Sequence, residues 1–167
     1  FFSTTSCTEG IFLSSDIFSF SNKDEIIAPS ISFPAVGNAV LSKGSKLVVC
    51  DVDRHSLNTA SKYIEEKISK KTKAIFLNHY GGVPCDMDSI IELAQAHNII
   101  LIEDAACAPR SFYKGQATGT FGDMGVWSFD AMKILSTGDG AMIYLKDKEI
   151  LQVAKELLYL GLPVKEK

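Results

Sequence analysis

The sequence predicts an α/β fold with a largely parallel central sheet, and three observations carry that prediction. Runs dense in apolar residues, Lys46 to Asp53, Ala74 to His79 and Ile99 to Asp104, alternate with stretches of helical spacing, which is the signature of successive βα units. Two of these runs, Ala74-Ile75-Phe76-Leu77 and Ile99-Ile100-Leu101-Ile102, are apolar without interruption, as buried strands are. The chain has 167 residues, 46% hydrophobic and 22% charged. That is the composition of a soluble globular protein long enough for one domain with a sizeable core.

In chain order, Phe1 to Thr5 reads as the tail of a strand. Ser6-Cys7-Thr8-Glu9-Gly10 follows, before an apolar pattern from Ile11 to Phe20. Hydroxyl residues just before a helix are N-cap residues. The same place can hold a phosphate, because unpaired backbone N–H groups and the helix dipole point outward there. Asp24 to Pro29 is a short strand ended by proline, and Ser30 to Pro34 a loop. Ala35 to Leu41 has helical spacing and stops at Lys43-Gly44, a C-cap. Lys46 to Asp53 is a strand, Thr59 to Ile68 an amphipathic helix, and Lys70 to Lys73 a basic solvated turn. After the strand Ala74 to His79 comes a turn-rich loop through Pro84. Asp86-Met87-Asp88 caps a helix over Ser89 to His97. The strand Ile99 to Asp104 ends on two carboxylates, and Ser111 to Gly119 is a turn. Gly140 to Leu145 is a strand, and Lys148 to Leu160 a helix. In open sheets of this kind ligands sit outside the carboxyl ends of the strands. Asn78-His79, Glu103-Asp104 and the loops after Thr5 and Pro29 are therefore expected to face one crevice.

Composition sets aside several functions. A net charge of −3 disfavours a nucleic-acid or polybasic membrane partner. No apolar run reaches the length of a membrane span, and Phe1-Phe2 lacks the basic leader of a signal peptide. Cys7, Cys50, Cys85 and Cys107 are scattered, with no C-x-x-C pair and no zinc spacing. They read as reduced thiols of a cytoplasmic protein. No metal site is expected.

The stretch from Gly125 to Gly140 places one lysine, Lys133, among Trp127, Phe129, Met132, Ile134 and Leu135. Apolar surroundings disfavour the ammonium form and turn the amine into a nucleophile able to form a Schiff base with an aldehyde. The alternative is a lysine that extends from a strand end into solvent. Four further features can share its crevice: Ser6 and Thr8 at a helix start, Phe33 on a loop, Asp104 at a strand end, and Ser128. Singly, Asp104 could be a helix cap, Phe33 a core residue and Ser128 strand filler. Together they meet the needs of pyridoxal 5'-phosphate (PLP). Its aldehyde needs a lysine, its ring nitrogen an anion, its phosphate helix-terminal N–H groups and hydroxyls, and its ring a flat apolar partner.

Those residues, taken with Ile27-Ala28-Pro29-Ser30-Ile31-Ser32-Phe33, His79-Tyr80-Gly81-Gly82, Asp86-Met87-Asp88, Ile102-Glu103-Asp104-Ala105-Ala106 and Thr137-Gly138-Asp139-Gly140, resemble the DegT/DnrJ/EryC1/StrS family of PLP-dependent sugar aminotransferases. The resemblance runs over nearly the whole chain. It implies a three-layer α/β/α architecture, the large PLP-binding domain of a fold type I aminotransferase. Residues 1–167 then form part of that domain, with an N-terminal segment and a small C-terminal domain expected beyond it. The implied roles are Lys133 as the Schiff-base lysine and proton carrier, and Asp104 as the partner of the ring nitrogen. Thr8 with the adjoining Cys7 and Glu9, and Ser128, would hold the phosphate. Phe33 would stack on the ring, and Cys107 would lie beside the cofactor's phenolic oxygen. The implied substrates are a nucleotide-linked keto sugar and an amino acid donor, which is glutamate in most of the family. The implied assembly is a homodimer. Cys107 and Pro109 stand where the family usually carries Gln and His, and Asp130 replaces an aromatic or His. Two other readings remain open: a non-catalytic paralogue serving as a binding or dimerisation domain, and the dehydratase branch, which carries His in place of the lysine.

Overall fold

The computed structural model describes residues 1–158. In chain order the elements are β1 (Phe2–Thr4), α1 (Cys7–Ile17), β2 (Glu25–Pro29), α2 (Pro34–Ser42), β3 (Lys46–Cys50), α3 (Ser61–Glu65) and β4 (Thr72–Asn78). A 3₁₀ turn (Tyr80–Gly82), α4 (Met87–His97), β5 (Ile100–Asp104) and the two-residue strands β6 (Phe112–Tyr113) and β7 (Gln116–Ala117) come next. The last elements are β8 (Met124–Ser128), β9 (Ala141–Leu145) and α5 (Lys148–Leu158).

Among the described residues, seven strands form one sheet in the order β1-β9-β8-β5-β4-β2-β3, and β6 pairs with β7 in a separate hairpin. β3, β2, β4, β5 and β8 run parallel. β9 is antiparallel to both β8 and β1, so β1 points the same way as the parallel set. The carboxyl ends of β1, β2, β4, β5 and β8 therefore share one edge of the sheet.

Both faces of the sheet are covered. Ile26, Ala28, Phe76, Ile102, Met124 and Val126 face a core closed by α1, α2 and α5. The alternate positions Ile27, Ile75, Leu77 and Leu101 face a second core closed by α3 and α4. Period-two alternation within each strand makes this division. It also explains the uninterrupted apolar runs, since a strand with helices on both sides has no solvent face. α1 lies very close to the sheet: a Cβ on Gly10 would stand 2.9 Å from Val126 Cγ1.

Element types agree with the sequence reading, while several boundaries move. α1 begins at Cys7 rather than Ile11, because Ser6 Oγ accepts from the Glu9 N–H and fixes the cap there. The strand expected to reach Asp53 stops at Cys50. Asp51 and Asp53 then accept from the backbone N–H groups of Val52, His55 and Ser56, which coils the chain into turns. The helix expected over Thr59 to Ile68 shrinks to Ser61–Glu65. Asn58 and Thr59 instead make tertiary bonds to Val83 O and Asp51 O. Asp86 stands at the N-cap of α4 without bonding its backbone; its carboxylate accepts from Ser89 Oγ and Tyr113 Oη. The expected turn over Ser111 to Gly119 contains the β6–β7 hairpin. Leu160, the expected end of the last helix, lies outside the described residues.

Candidate functional site

Asp104 is the last residue of β5, on the face that α1 covers. It is 3% exposed, and its Oδ1 accepts from the Ala106 N–H at 3.0 Å. Burial pushes its carboxyl above the usual carboxylate range, while that N–H and the Lys133 charge pull the other way. A carboxylate so placed favours the arrival of a cation or a protonated ring nitrogen.

Lys133 and Cys7 lie within reach of its charge, and Cys107 contacts Lys133. Lys133 Nζ donates to Cys107 Sγ at 3.7 Å. Cys7, the first residue of α1, has its thiol pushed far up, chiefly by burial and then by the Asp104 charge, with Lys133 opposing and Cys107 reinforcing. Cys7, Asp104, Cys107 and Lys133 thus form one electrostatically coupled group at the carboxyl edge of the sheet.

The loop that presents Lys133 is built differently from the sequence expectation. Its apolar neighbours do not surround the amine: Met132 and Ile134 are 92% and 87% exposed, and Leu135 is also exposed. Consecutive residues in a tight turn point in divergent directions, so closeness in sequence does not become closeness in space. Asp130, the residue that departs from the family pattern, shapes the turn. Its Oδ1 accepts from the Met132 N–H at 2.9 Å, and its carbonyl accepts from the Lys133 N–H at 2.9 Å. Phe129 closes the loop, donating to Gly140 O and accepting from the Thr137 N–H.

The start of α1 offers a site for an anion. Cys7 and Thr8 occupy the first turn, where backbone N–H groups have no intrahelical acceptor. Thr8 is exposed there. Glu9 belongs to the cap instead: its N–H donates to Ser6 Oγ, and its Oε2 accepts from the N–H and Oγ1 of Thr5 at 2.6 Å each. Both its backbone and side chain are engaged, so the structure assigns it to holding the helix start. Ser128 ends β8, buried, on the same face as Met124 and Val126 that packs against α1. Its Oγ accepts weakly from the Asp130 N–H at 3.4 Å.

Phe33 stands at the N-cap of α2, beyond the carboxyl end of β2, and is 65% exposed. It is therefore not the core residue of the alternative reading. It borders a shallow depression with Pro29, Leu47 and Val49.

His79 is a correction. The sequence reading turned it toward the crevice, but it is fully buried on the opposite side. Its Nδ1 accepts from the Cys85 N–H at 3.2 Å, so the proton resides on Nε2, which donates to Glu103 Oε2 at 2.9 Å. Glu103, also fully buried, accepts three more bonds at 2.7 Å each: Gly119 N–H on Oε2, and the N–H groups of Phe121 and Gly122 on Oε1. Strand alternation thus sends adjacent carboxylates to opposite faces. Glu103 ties the 119–122 loop and His79 together, and Asp104 faces the site. Asn58, which no motif pointed to, fastens the loop after β4 by accepting from the Tyr80 N–H and donating to Val83 O. Gly82 allows that loop to pass Cys107: its φ is +82°, and a Cβ there would stand 2.9 Å from Cys107 O.

This donor set fits PLP. A buried carboxylate can hold a protonated ring nitrogen, a lysine amine stands within its field, and a helix start offers N–H groups to a phosphate. Among the described residues, no group of three or more His, Cys, Asp or Glu is arranged to hold a metal ion, and no helix is long and apolar enough to cross a membrane.

Known proteins carry the same arrangement of chain. A curated relative from Saccharopolyspora spinosa, dTDP-4-dehydro-2,3,6-trideoxy-D-glucose 4-aminotransferase, is 45% identical over 155 residues, covering 93% of this chain and 40% of its own. GDP-perosamine synthase from Escherichia coli O157:H7 is 42% identical over 130 residues, covering 78% of this chain and 36% of its own. The crystal structure of the aminotransferase TlmJ from Streptoalloteichus hindustanus superposes with a TM-score of 0.93 at 46% identity, over 95% of this chain and 43% of that one. The chain thus spans about two fifths of the length of the relatives it matches. The DegT/DnrJ/EryC1/StrS aminotransferase family model matches residues 2–167, and the chain belongs to that family.

Proposed function

We propose that the protein is a PLP-dependent aminotransferase that moves an amino group from an amino acid donor, glutamate by family resemblance, to a keto group of a nucleotide-linked sugar. The observation that carries the reading is the coupling of Lys133, the buried Asp104 and the first residue of α1 in one group. The sugar aminotransferase relatives support the substrate class.

When bound, PLP supplies an aldehyde carbon that accepts amines and a ring that withdraws the electron pair left by a departing proton. The chain's residues support that chemistry. Asp104 would hold the ring nitrogen and favour its protonated form. Lys133 would hold the cofactor's aldehyde carbon through Nζ, and its free amine would serve as the base and acid that carries a proton. The N–H groups of Cys7 and Thr8, with the Ser128 hydroxyl, orient the phosphate. Phe33 offers a flat apolar face, and Cys107 holds the free Lys133 amine in place.

The reading extends to a homodimer, supported by the apolar Met132 and Ile134 displayed beside the site, and to a cytoplasmic setting, supported by the free cysteines. It takes residues 1–167 as part of the cofactor-binding domain, with further sequence completing the sugar pocket, in keeping with the share of each relative that is matched.

The test uses the full-length protein. Added PLP should produce a visible absorption band, and borohydride should then fix the cofactor on Lys133. Turnover with a nucleotide-linked keto sugar should vanish in Lys133→Ala. A cofactor-modified peptide carrying any other lysine overturns the assignment, and turnover that depends on Lys133 excludes a non-catalytic domain.

A further inference from the structure

The contact between Lys133 and Cys107 permits a second chemistry. Lys133 Nζ lies 3.7 Å from Cys107 Sγ, an amine nitrogen held against a partly exposed sulfur. We propose that Cys107 and Lys133 form a reversible oxidative crosslink, a sulfur–nitrogen bond, when hydrogen peroxide meets the protein with the Lys133 amine free.

The geometry suits the chemistry at each step. Thiolate sulfur attacks peroxide, its O–O bond breaks, and Cys107 becomes a sulfenic acid as one oxygen leaves as hydroxide. The Lys133 amine then displaces the sulfenic hydroxyl. The S–O bond breaks, the S–N bond forms, and the amine proton leaves with the hydroxide as water. In sum, one thiol, one amine and one peroxide give one sulfenamide and two waters. The thiol is oxidised and the peroxide reduced. A small-molecule thiol reverses the bond by attacking sulfur and returning the amine.

The surroundings favour this sulfur and this partner. Cys50 and Cys85 are buried, which favours their thiol form and pushes Cys85 up to about 12. Cys7 is partly open to solvent, as Cys107 is, but desolvation and the Asp104 charge push its thiol up, and among the described residues no lysine contact is seen at its sulfur as it is at Cys107. The turn built by Asp130 fixes the lysine backbone, so the amine need only close the gap to sulfur. The crosslink stands on these side chains alone. Its consequence, a lysine no longer able to hold a carbonyl cofactor, rests on the function proposed above.

The test treats the full-length protein, stripped of cofactor, with hydrogen peroxide, and maps its peptides by mass spectrometry under non-reducing conditions. The expected product is a Cys107–Lys133 crosslinked peptide lighter by two hydrogens. It should disappear with excess thiol, be absent in Cys107→Ser, and persist in Cys7→Ser. A Cys7–Cys107 disulfide, or Cys107 carried through to sulfinic acid with Lys133 unmodified, overturns the proposal. Borohydride trapping of added PLP provides a separate readout. A crosslinked protein that still traps PLP at full yield refutes the cofactor role of Lys133 and leaves the crosslink standing. A protein that traps PLP on Lys133 before oxidation but yields no crosslink afterwards refutes the crosslink alone.

Discussion

Glu103→Gln isolates the buried network behind the site. Glu103 accepts four hydrogen bonds, two on each oxygen, from Gly119, Phe121, Gly122 and His79. Gln keeps the shape but has one acceptor oxygen and places an NH₂ where the other oxygen was. Whichever way the amide turns, two donors lose their acceptor and meet another donor. His79 cannot relieve this by changing tautomer, because its Nδ1 already accepts from the Cys85 N–H. Each buried donor left unpaired costs about 1–3 kcal/mol, so the substitution is expected to cost about 2–6 kcal/mol. Against a typical total of about 5–15 kcal/mol, that is a large fraction. Urea unfolding of the full-length cofactor-free protein, followed by circular dichroism, should show a lower midpoint with an unchanged slope. A loss below about 1 kcal/mol would refute the reasoning, since it would mean the four bonds contribute little beyond what water supplies.

Other substitutions probe the surroundings. Asp104→Asn should have the opposite effect on the cofactor-free protein. The buried carboxyl is raised above its unfolded value, so the stability tied to its protonated form is present below the ordinary Asp range, about pH 4, and is lost as pH rises through the folded value. Asn does not ionise, so unfolding midpoints should show the variant gaining on the wild type over that rise, while the transamination proposed above should be abolished. Gly10→Ala drives a Cβ to 2.9 Å from Val126 Cγ1 and 3.3 Å from Ile143 Cγ1; thermal unfolding should show a loss of about 1–3 kcal/mol from overpacking. Ser6→Ala removes the acceptor for the Glu9 N–H and should cost about 1 kcal/mol by the same measurement.

Much of the fold was legible because strands covered on both faces announce themselves as unbroken apolar runs, and Ile99 to Ile102 is such a run. Asp104 was legible for a related reason: a carboxylate ending a buried strand must sit at the sheet's edge, where ligands bind. Ser6 could be read from local capping chemistry. Glu103 could not. Its partners lie 16 to 24 residues away, and three of them are backbone N–H groups, which leave no trace in residue type. The surroundings of Lys133 were misread because the loop after β8 has no period. Helical or strand spacing tells where a side chain points, and a turn organised by the Asp130 carboxylate offers no such rule. Asn58 was missed because a side chain that bridges two loops resembles any polar residue in a sequence.

The opposite facing of Glu103 and Asp104 has a consequence for how the chain folds. A strand flanked by parallel neighbours could in principle pair one position out of step, and apolar residues on both sides would tolerate the exchange. Here such a slip would turn Asp104 toward the loop that needs Glu103 and leave Glu103 pointing at the site. The shorter side chain would strand the Gly119, Phe121 and Gly122 N–H groups without acceptors, and the misaligned state would be penalised well before any ligand arrived. The adjacent pair of acids therefore acts as an alignment key: the bonds that anchor one carboxylate select the only strand offset that delivers the other to its place.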